Sequence, residues 1–250
     1  DAQESRGLGD VYKRQVSQIL ADEKKEAADI GMDKELDKKI IKESAESLIE
    51  LVRVGSINDA FIILDSNGLY NENGAEQKTG LYIRDTDVNA NSKIDNSDIY
   101  IEMGSSEISH EMGLALDFEW SLYLDMTNRE DFAFFYDTIA AGEENPGMSP
   151  ELLGHWTEFS KISRSAQKSF KYTVPLISED GHVYGIVGIG LLEKTIQQDI
   201  PSNDFLNESA CYVLAVDYDD NGKYTMIMHS GPAYKLSLIH ISEPTRLLSI

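Results

Sequence analysis

A single cysteine, Cys211, in 250 residues excludes an internal disulfide framework and most cysteine-ligated metal sites. It leaves the compartment open, because an exported domain need not carry disulfides. Positive charge is also scarce, with 22 Lys and Arg against 44 Asp and Glu for a net charge of −22. Binding to nucleic acid needs clusters of Lys and Arg opposite the phosphates, so a nucleic-acid partner is excluded, and docking on anionic lipid is disfavoured for the same reason. Catalytic signatures are missing too. His110, His155, His182 and His229 form no metal-ligand spacing, and the His-Glu at His110 is not followed by a second His four residues on. There is no Gly-x-Ser-x-Gly nucleophile motif and no phosphate-binding glycine loop. Gly185-x-x-Gly188-x-Gly190 lies inside a strand pattern, where small residues mean close packing. These absences disfavour a secreted hydrolase and imply no enzyme activity and no cofactor.

The two ends carry an unusual relation. Ser5 to Gln15, SRGLGDVYKRQ, is encodable by a DNA segment whose reverse complement encodes LSLIHISEPTR, which is Leu236 to Arg246. No folding constraint relates one peptide to another through the opposite DNA strand. The match resembles translated sequencing adapter, which assigns residues 1–15 and 236–250 to flanking artefact without a fixed place in the fold. The native fragment is then expected to be Val16 to Lys235, cut by the read at both ends. Removing the flanks takes away Arg6, Lys13, Arg14 and Arg246 but also Asp1, Glu4, Asp10 and Glu243, so the net charge stays at −22. Missing leaders or membrane spans carry no weight in such a fragment.

The rest is long enough for one large or two small domains. Leu36, Ile40, Ile41, Ala45, Leu48, Ile49 and Val52 recur at spacings of three and four, which predicts an amphipathic helix running from Asp33 to Gly55 within a longer helical stretch from Gln18. Beyond Gly55 the period turns strand-like. AFIILD (Ala60 to Asp65), LYIRD (Leu81 to Asp85) and DIYIEM (Asp98 to Met103) read as strands, with a helix around Ser106 to Leu116. Further strands are expected at DFAFFYDTI (Asp131 to Ile139), KSFKYTVPLI (Lys168 to Ile177) and HVYGIVGIGLL (His182 to Leu192), the last two joined by a hairpin at Ser178-Glu179-Asp180-Gly181. A polar helix from Leu192 to Asp199 leads past Pro201 to a second pair, CYVLAVDY (Cys211 to Tyr218) and KYTMIMHS (Lys223 to Ser230).

This order, with YTVPLISEDGHVYGIVGIGLLEKTIQQDI (Tyr172 to Ile200) and the preceding LGHWTEFSKIS (Leu153 to Ser163), resembles a double Cache sensor domain. The resemblance implies an α+β fold: a long N-terminal stalk helix (16–55), a PAS-like antiparallel-sheet module distal to the membrane (56–200), and the start of a truncated proximal module (201–235). It implies an extracytoplasmic part of a cell-membrane protein that binds a small molecule and signals to a kinase, diguanylate cyclase or chemotaxis output. Flanking helices would anchor it in the membrane, and the N-terminal helix would offer a homodimer contact. Amino-acid-binding members use an Arg-x-Trp-Tyr cluster and an Asp near the end of the last distal strand. His155-Trp156-Thr157-Glu158 and Gly190 stand there in this chain.

The ligand pocket implied by the resemblance gathers Tyr82, Arg84, Trp120, Tyr136, Trp156 and Tyr172, with aromatic walls and one cation, and favours a neutral or anionic polar metabolite over a bare cation. For Trp156, strand core is an equal reading, and for Arg84 a salt bridge to a neighbouring acid is the stronger one. Alternation places Phe132, Phe134 and Tyr136 on one strand face. Asp87, Asn89, Asn91, Asp95 and Asp98 follow the 1, 3, 5, 9, 12 spacing of a calcium loop and resemble a dockerin half-repeat. Ser92 replaces the glycine of that loop, Asp98 is a short twelfth ligand, and no second copy exists, so a solvated loop is the default. The competing function is a calcium-dependent cell-surface adhesion or scaffold module using this loop.

Overall fold

The computed structural model describes residues 8–88, 96–162, 167–199, 213–216 and 225–229. The chain divides into two compact units, residues 1–195 and 196–250. The first is α+β. Helix α1 (Leu8–Glu23) and a short 3-10 turn (Ala27–Asp29) lead into α2 (Lys34–Val54). Asp33 caps α2 by accepting from the backbone N–H of Glu35 and Leu36, and at the other end the N–H of Gly55 returns to the Leu51 carbonyl. The sheet follows: β1 (Asp59–Leu64), β2 (Gln77–Lys78), β3 (Gly80–Asp85), β4 (Ile99–Met103), β5 (Ala115–Ser121), β6 (Leu124–Asp125), β7 (His155–Trp156), β8 (Ser169–Ile177) and β9 (Val183–Leu192). Helix α3 (Ser106–Met112) lies between β4 and β5, and α4 (Ala133–Glu144) follows a 3-10 turn at Arg129–Phe132.

Seven strands form one mixed sheet in the order β5-β4-β3-β1-β9-β8-β7, and β2 pairs with β6 apart from it. Every pairing in the large sheet is antiparallel except β4 with β5. Alternation sends Ala60, Ile62 and Leu64 of β1 to a cluster with the apolar stripe of α2, while Phe61 and Ile63 join Phe134, Phe135 and Ile139 of α4 on the other face. Helix α2 is therefore a layer of the first unit, its stripe from Leu36 to Val52 buried on the sheet. A latch fixes its start: the buried Asp37 carboxylate accepts from the Gly31 N–H and the Tyr70 hydroxyl, each at 2.8 Å.

Two expectations are corrected. Residues 131–139 form a 3-10 turn and α4, not a strand. The buried positions Phe134, Phe135, Thr138, Ile139 and Gly142 have helical spacing, and the apparent alternation arose because Phe132 and Tyr136 flank an adjacent Phe-Phe pair. Helix α3 stops at Met112, ended by Gly113 with φ of 66°, so that residues 115–121 become a strand. Of the N-terminal flank, residues 8–15 are described and are helical. Helix α1 begins inside the stretch that resembles adapter, with Tyr12 wholly buried beside Val16 and Ile19, against the expectation of no fixed position. A helix started in later residues extends backwards wherever its apolar spacing continues, whatever encodes it.

In the second unit, β10 (Val213–Val216) pairs antiparallel with β11 (Thr225–His229). The polar helix α5 spans Glu193–Asp199. No helix among the described residues is long and apolar enough to cross a membrane.

Candidate ligand-binding site

The face of the sheet beneath α4 is apolar at its centre and charged at one end. Asp59 opens β1, opposite Arg84 on β3 and Gly190 on β9. Two residues along β3, Tyr82 stacks on Phe61 with ring centroids 5.2 Å apart. Tyr82 pairs with Met103 and Ile83 with Ile101, so Glu102 is the extra residue of a β-bulge. The bulge turns its carboxylate onto the face that Arg84 occupies. Arg84 Nη1 lies 2.6 Å from Glu102 Oε1, and Nη2 donates to Asp117 Oδ2 of β5 at 2.7 Å. From β8, Lys171 donates to the Ser160 carbonyl at 2.7 Å and to the hydroxyls of Ser160 and Ser169 at 3.0 and 2.9 Å, with the Phe134 ring 5.3 Å away.

Three carboxylates thus face two cations in a region where Asp59, Glu102 and Lys171 are almost wholly buried. Burial pushes the Glu102 carboxyl up to about 7; Arg84 opposes that shift, and Asp117 and Asp59 reinforce it. Burial likewise brings the Lys171 ammonium down to about 8, against the pull of Asp59 and Glu102. Asp59 is raised by burial too, although Lys171 and the Tyr82 and Ser169 hydroxyls beside it favour its charge. Hydrogen bonding is incomplete. Asp59 Oδ1, both Glu102 oxygens and Arg84 Nε have no aligned hydrogen-bond partner among the described residues. The Arg84 to Glu102 contact is close, but off the direction of the N–H bonds.

Glycines make this arrangement fit. A Cβ on Gly190 would meet the Asp59 carboxylate at 2.1 Å, and one on Gly188 would meet the Phe61 ring at 2.4 Å. The carboxylate expected from the end of the last strand is absent at Gly190. One from the neighbouring strand, Asp59, lies over that glycine instead.

Of the six residues expected to converge, Tyr82 and Arg84 are at this cluster and the other four lie elsewhere. Tyr136 lies on α4 and donates to Glu76 Oε1 at 2.9 Å, away from the cluster, in a cleft of about 530 Å³. Tyr172 packs with the α2-side core, and Trp156 stacks on Phe170 at 4.8 Å with Tyr172 beside it. Trp120 donates its indole N–H to the Gly104 carbonyl at 3.0 Å and packs against the same α2-side core. Alternation explains Tyr172: its neighbours Lys171 and Thr173 face α4, which turns Tyr172 the other way.

Asp59, Glu102, Asp117 and Lys171 were not singled out by the sequence reading. A lysine between Phe170 and Tyr172 in an otherwise apolar strand was the signal available for Lys171. Nothing short of the bulge marked Glu102. In the calcium-loop candidate, Asn89, Asn91 and Asp95 lie outside the described residues; the Asp98 carbonyl accepts from Thr86, and the Asp87 N–H donates to Asp85. Among the described residues no group of three or more His, Cys, Asp or Glu is gathered to hold a metal ion. No protein-family model matches the chain, and no curated protein sequence matches it significantly.

Proposed function

We propose that this chain is the extracytoplasmic small-molecule sensing domain of a membrane-bound signal-transduction protein, non-catalytic in itself, with its ligand taken at the charged cluster beneath α4. The observation that carries the reading is the buried Asp59, Arg84 and Glu102 group beside Lys171, in which Asp59 Oδ1, Arg84 Nε and both Glu102 oxygens lack aligned partners among the described residues. Buried polar groups without partners each cost about 1–3 kcal/mol, and a fold carries that cost most readily where a ligand removes it. The strand order lends support. The five strands β3-β1-β9-β8-β7 are all antiparallel and, numbered by themselves from the N-terminus, run 2-1-5-4-3, the order of a PAS-like sheet.

The test is a thermal-shift screen of metabolites on the purified chain, followed by Asp59→Asn. That change keeps the volume and removes the charge, and it should weaken any stabilising ligand at least tenfold. Trp156→Ala, on the opposite face, should leave the ligand shift in place. A shift that survives Asp59→Asn and vanishes when residues after Pro201 are altered would place the ligand in the second unit and defeat the assignment. Recovery of the flanking genomic sequence tests the membrane reading separately, since that reading requires an apolar segment of about 20 residues on each side.

A further inference from the structure

Among its described residues the first unit buries two lysines in the α4-facing layer, Lys78 and Lys171, and they are provided for very differently. Lys171 has four oxygen acceptors around its ammonium. Lys78, only 5 % exposed, has a single one, Asp65 Oδ1 at 2.5 Å, with the Phe135 ring 5.7 Å from its nitrogen. An ammonium carries three N–H donors, so Lys78 keeps donor directions that no described residue fills. Lys78 lines the cleft of about 530 Å³ between α4 and the segments at Asp65 and Glu76 to Lys78. Phe135, Ile139 and Ala140 give that cleft an apolar wall, and Arg129 lies over the Tyr136 ring at 4.2 Å, in ion contact with Glu76 at 3.4 Å. The volume is within the range of small-molecule sites, and the lining is mixed, with Asp65, Asn67, Glu76, Lys78, Arg129 and Glu143 around the apolar wall.

We infer that this cleft is a second small-molecule site, separate from the charged cluster, for a compact molecule that presents an oxygen acceptor to Lys78 and an apolar or ring body to Phe135, Ile139 and Ala140. Asp65 and Glu76 are already engaged by Lys78 and Arg129, and Glu143 stands at the rim. The local charge therefore does not select an anion, and the acceptor's geometry decides instead. A neutral carbonyl satisfies Lys78 without meeting the repulsion of Glu143.

The test uses three probes with one ring and different heads. Benzamide offers a neutral oxygen acceptor, benzoate an anionic one, and benzylamine, protonated at neutral pH, only donors. In NMR titrations of the whole chain, benzamide should shift resonances of Lys78, Phe135 and Tyr136 in a saturable way. Benzoate should do so more weakly and benzylamine not at all. Lys78→Met should weaken benzamide at least tenfold. Ala140→Trp, which fills the cleft from α4 and touches none of its ion pairs, should do the same and so covers the case in which Lys78→Met disturbs folding. Equal binding of benzylamine, binding that survives Ala140→Trp, or no saturable shift with benzamide would each overturn the inference. None of these outcomes bears on Asp59 and the charged cluster.

Discussion

At the scale of single residues, buried polar atoms without partners give the sharpest expectations. Tyr184 is 1 % exposed and its hydroxyl has no hydrogen bond among the described residues, and its ionisation is pushed far up by burial alone. Tyr184→Phe removes an unsatisfied group and little volume, so unfolding stability in urea should stay level or rise by about 1 kcal/mol; a loss above that would reveal a partner for the hydroxyl. Glu102 makes the matching pH prediction. Its folded-state pKa is raised from 4.5 to about 7, so the folded chain holds a proton that the unfolded chain has already released between those values. The Glu102 contribution is therefore fully present below about pH 4.5 and is lost as pH rises through about 7, a change on the order of 3 kcal/mol. Glu102→Gln, which keeps the neutral form at every pH, should remove this part of the stability profile; a profile unchanged by the substitution would count against a buried, proton-holding Glu102.

At the scale of elements, what the sequence made legible was whatever follows from local periodicity. Helix α2 with both its ends, strands β1, β3, β4, β8 and β9, and the hairpin after Ile177 all come from apolar spacing and turn residues that need no partner to be read. Residues 131–139 did not, because two adjacent phenylalanines satisfy a period of 2 and a period of 3.6 over so short a span, and only the facing sheet decides between them. The candidate site was legible for Arg84 and Tyr82 and not for Glu102, since a bulge is a property of pairing rather than of one strand's sequence. Aromatic residues drew attention to Trp156 and Tyr172, yet the strand's alternation turns them to the α2 side. The glycines of β9 show the reverse case, where a sequence motif is explained only by its neighbour. Gly188 must accept the Phe61 ring and also lies 2.7 Å, measured from its ideal Cβ, from the Tyr172 carbonyl oxygen. Gly188→Ala has no room on either side and should cost about 1–3 kcal/mol by overpacking, measured by urea denaturation. A neutral result would mean that β1 and β9 can separate without loss.

At the scale of the whole molecule the dominant fact is charge. Acids exceed bases by 22, and the ion pairs that offset them are mostly on the surface: Lys38 with Glu107, Lys39 with Glu23, and Lys42 with Glu111, each with both side chains more than a third exposed. Exposed pairs of this kind contribute about 0–1 kcal/mol apiece, and salt weakens them. Salt also screens the repulsion among the acids left without a basic partner, over a distance that falls from roughly 30 Å at 0.01 M to about 8 Å at 0.15 M. The two effects have opposite signs. With two acidic residues for every basic one, half of the acids have no base to pair with, and self-repulsion of a strongly charged chain destabilises its compact state. Stability should therefore rise as sodium chloride is raised from about 10 mM to the physiological range near 0.15 M, seen as an upward shift of Tm at constant pH. Changes at the three surface lysines should alter the size of the rise and not its direction, whereas a fall in Tm with salt would show that the ion pairs joining α2 to α1 and α3 outweigh the excess of acid.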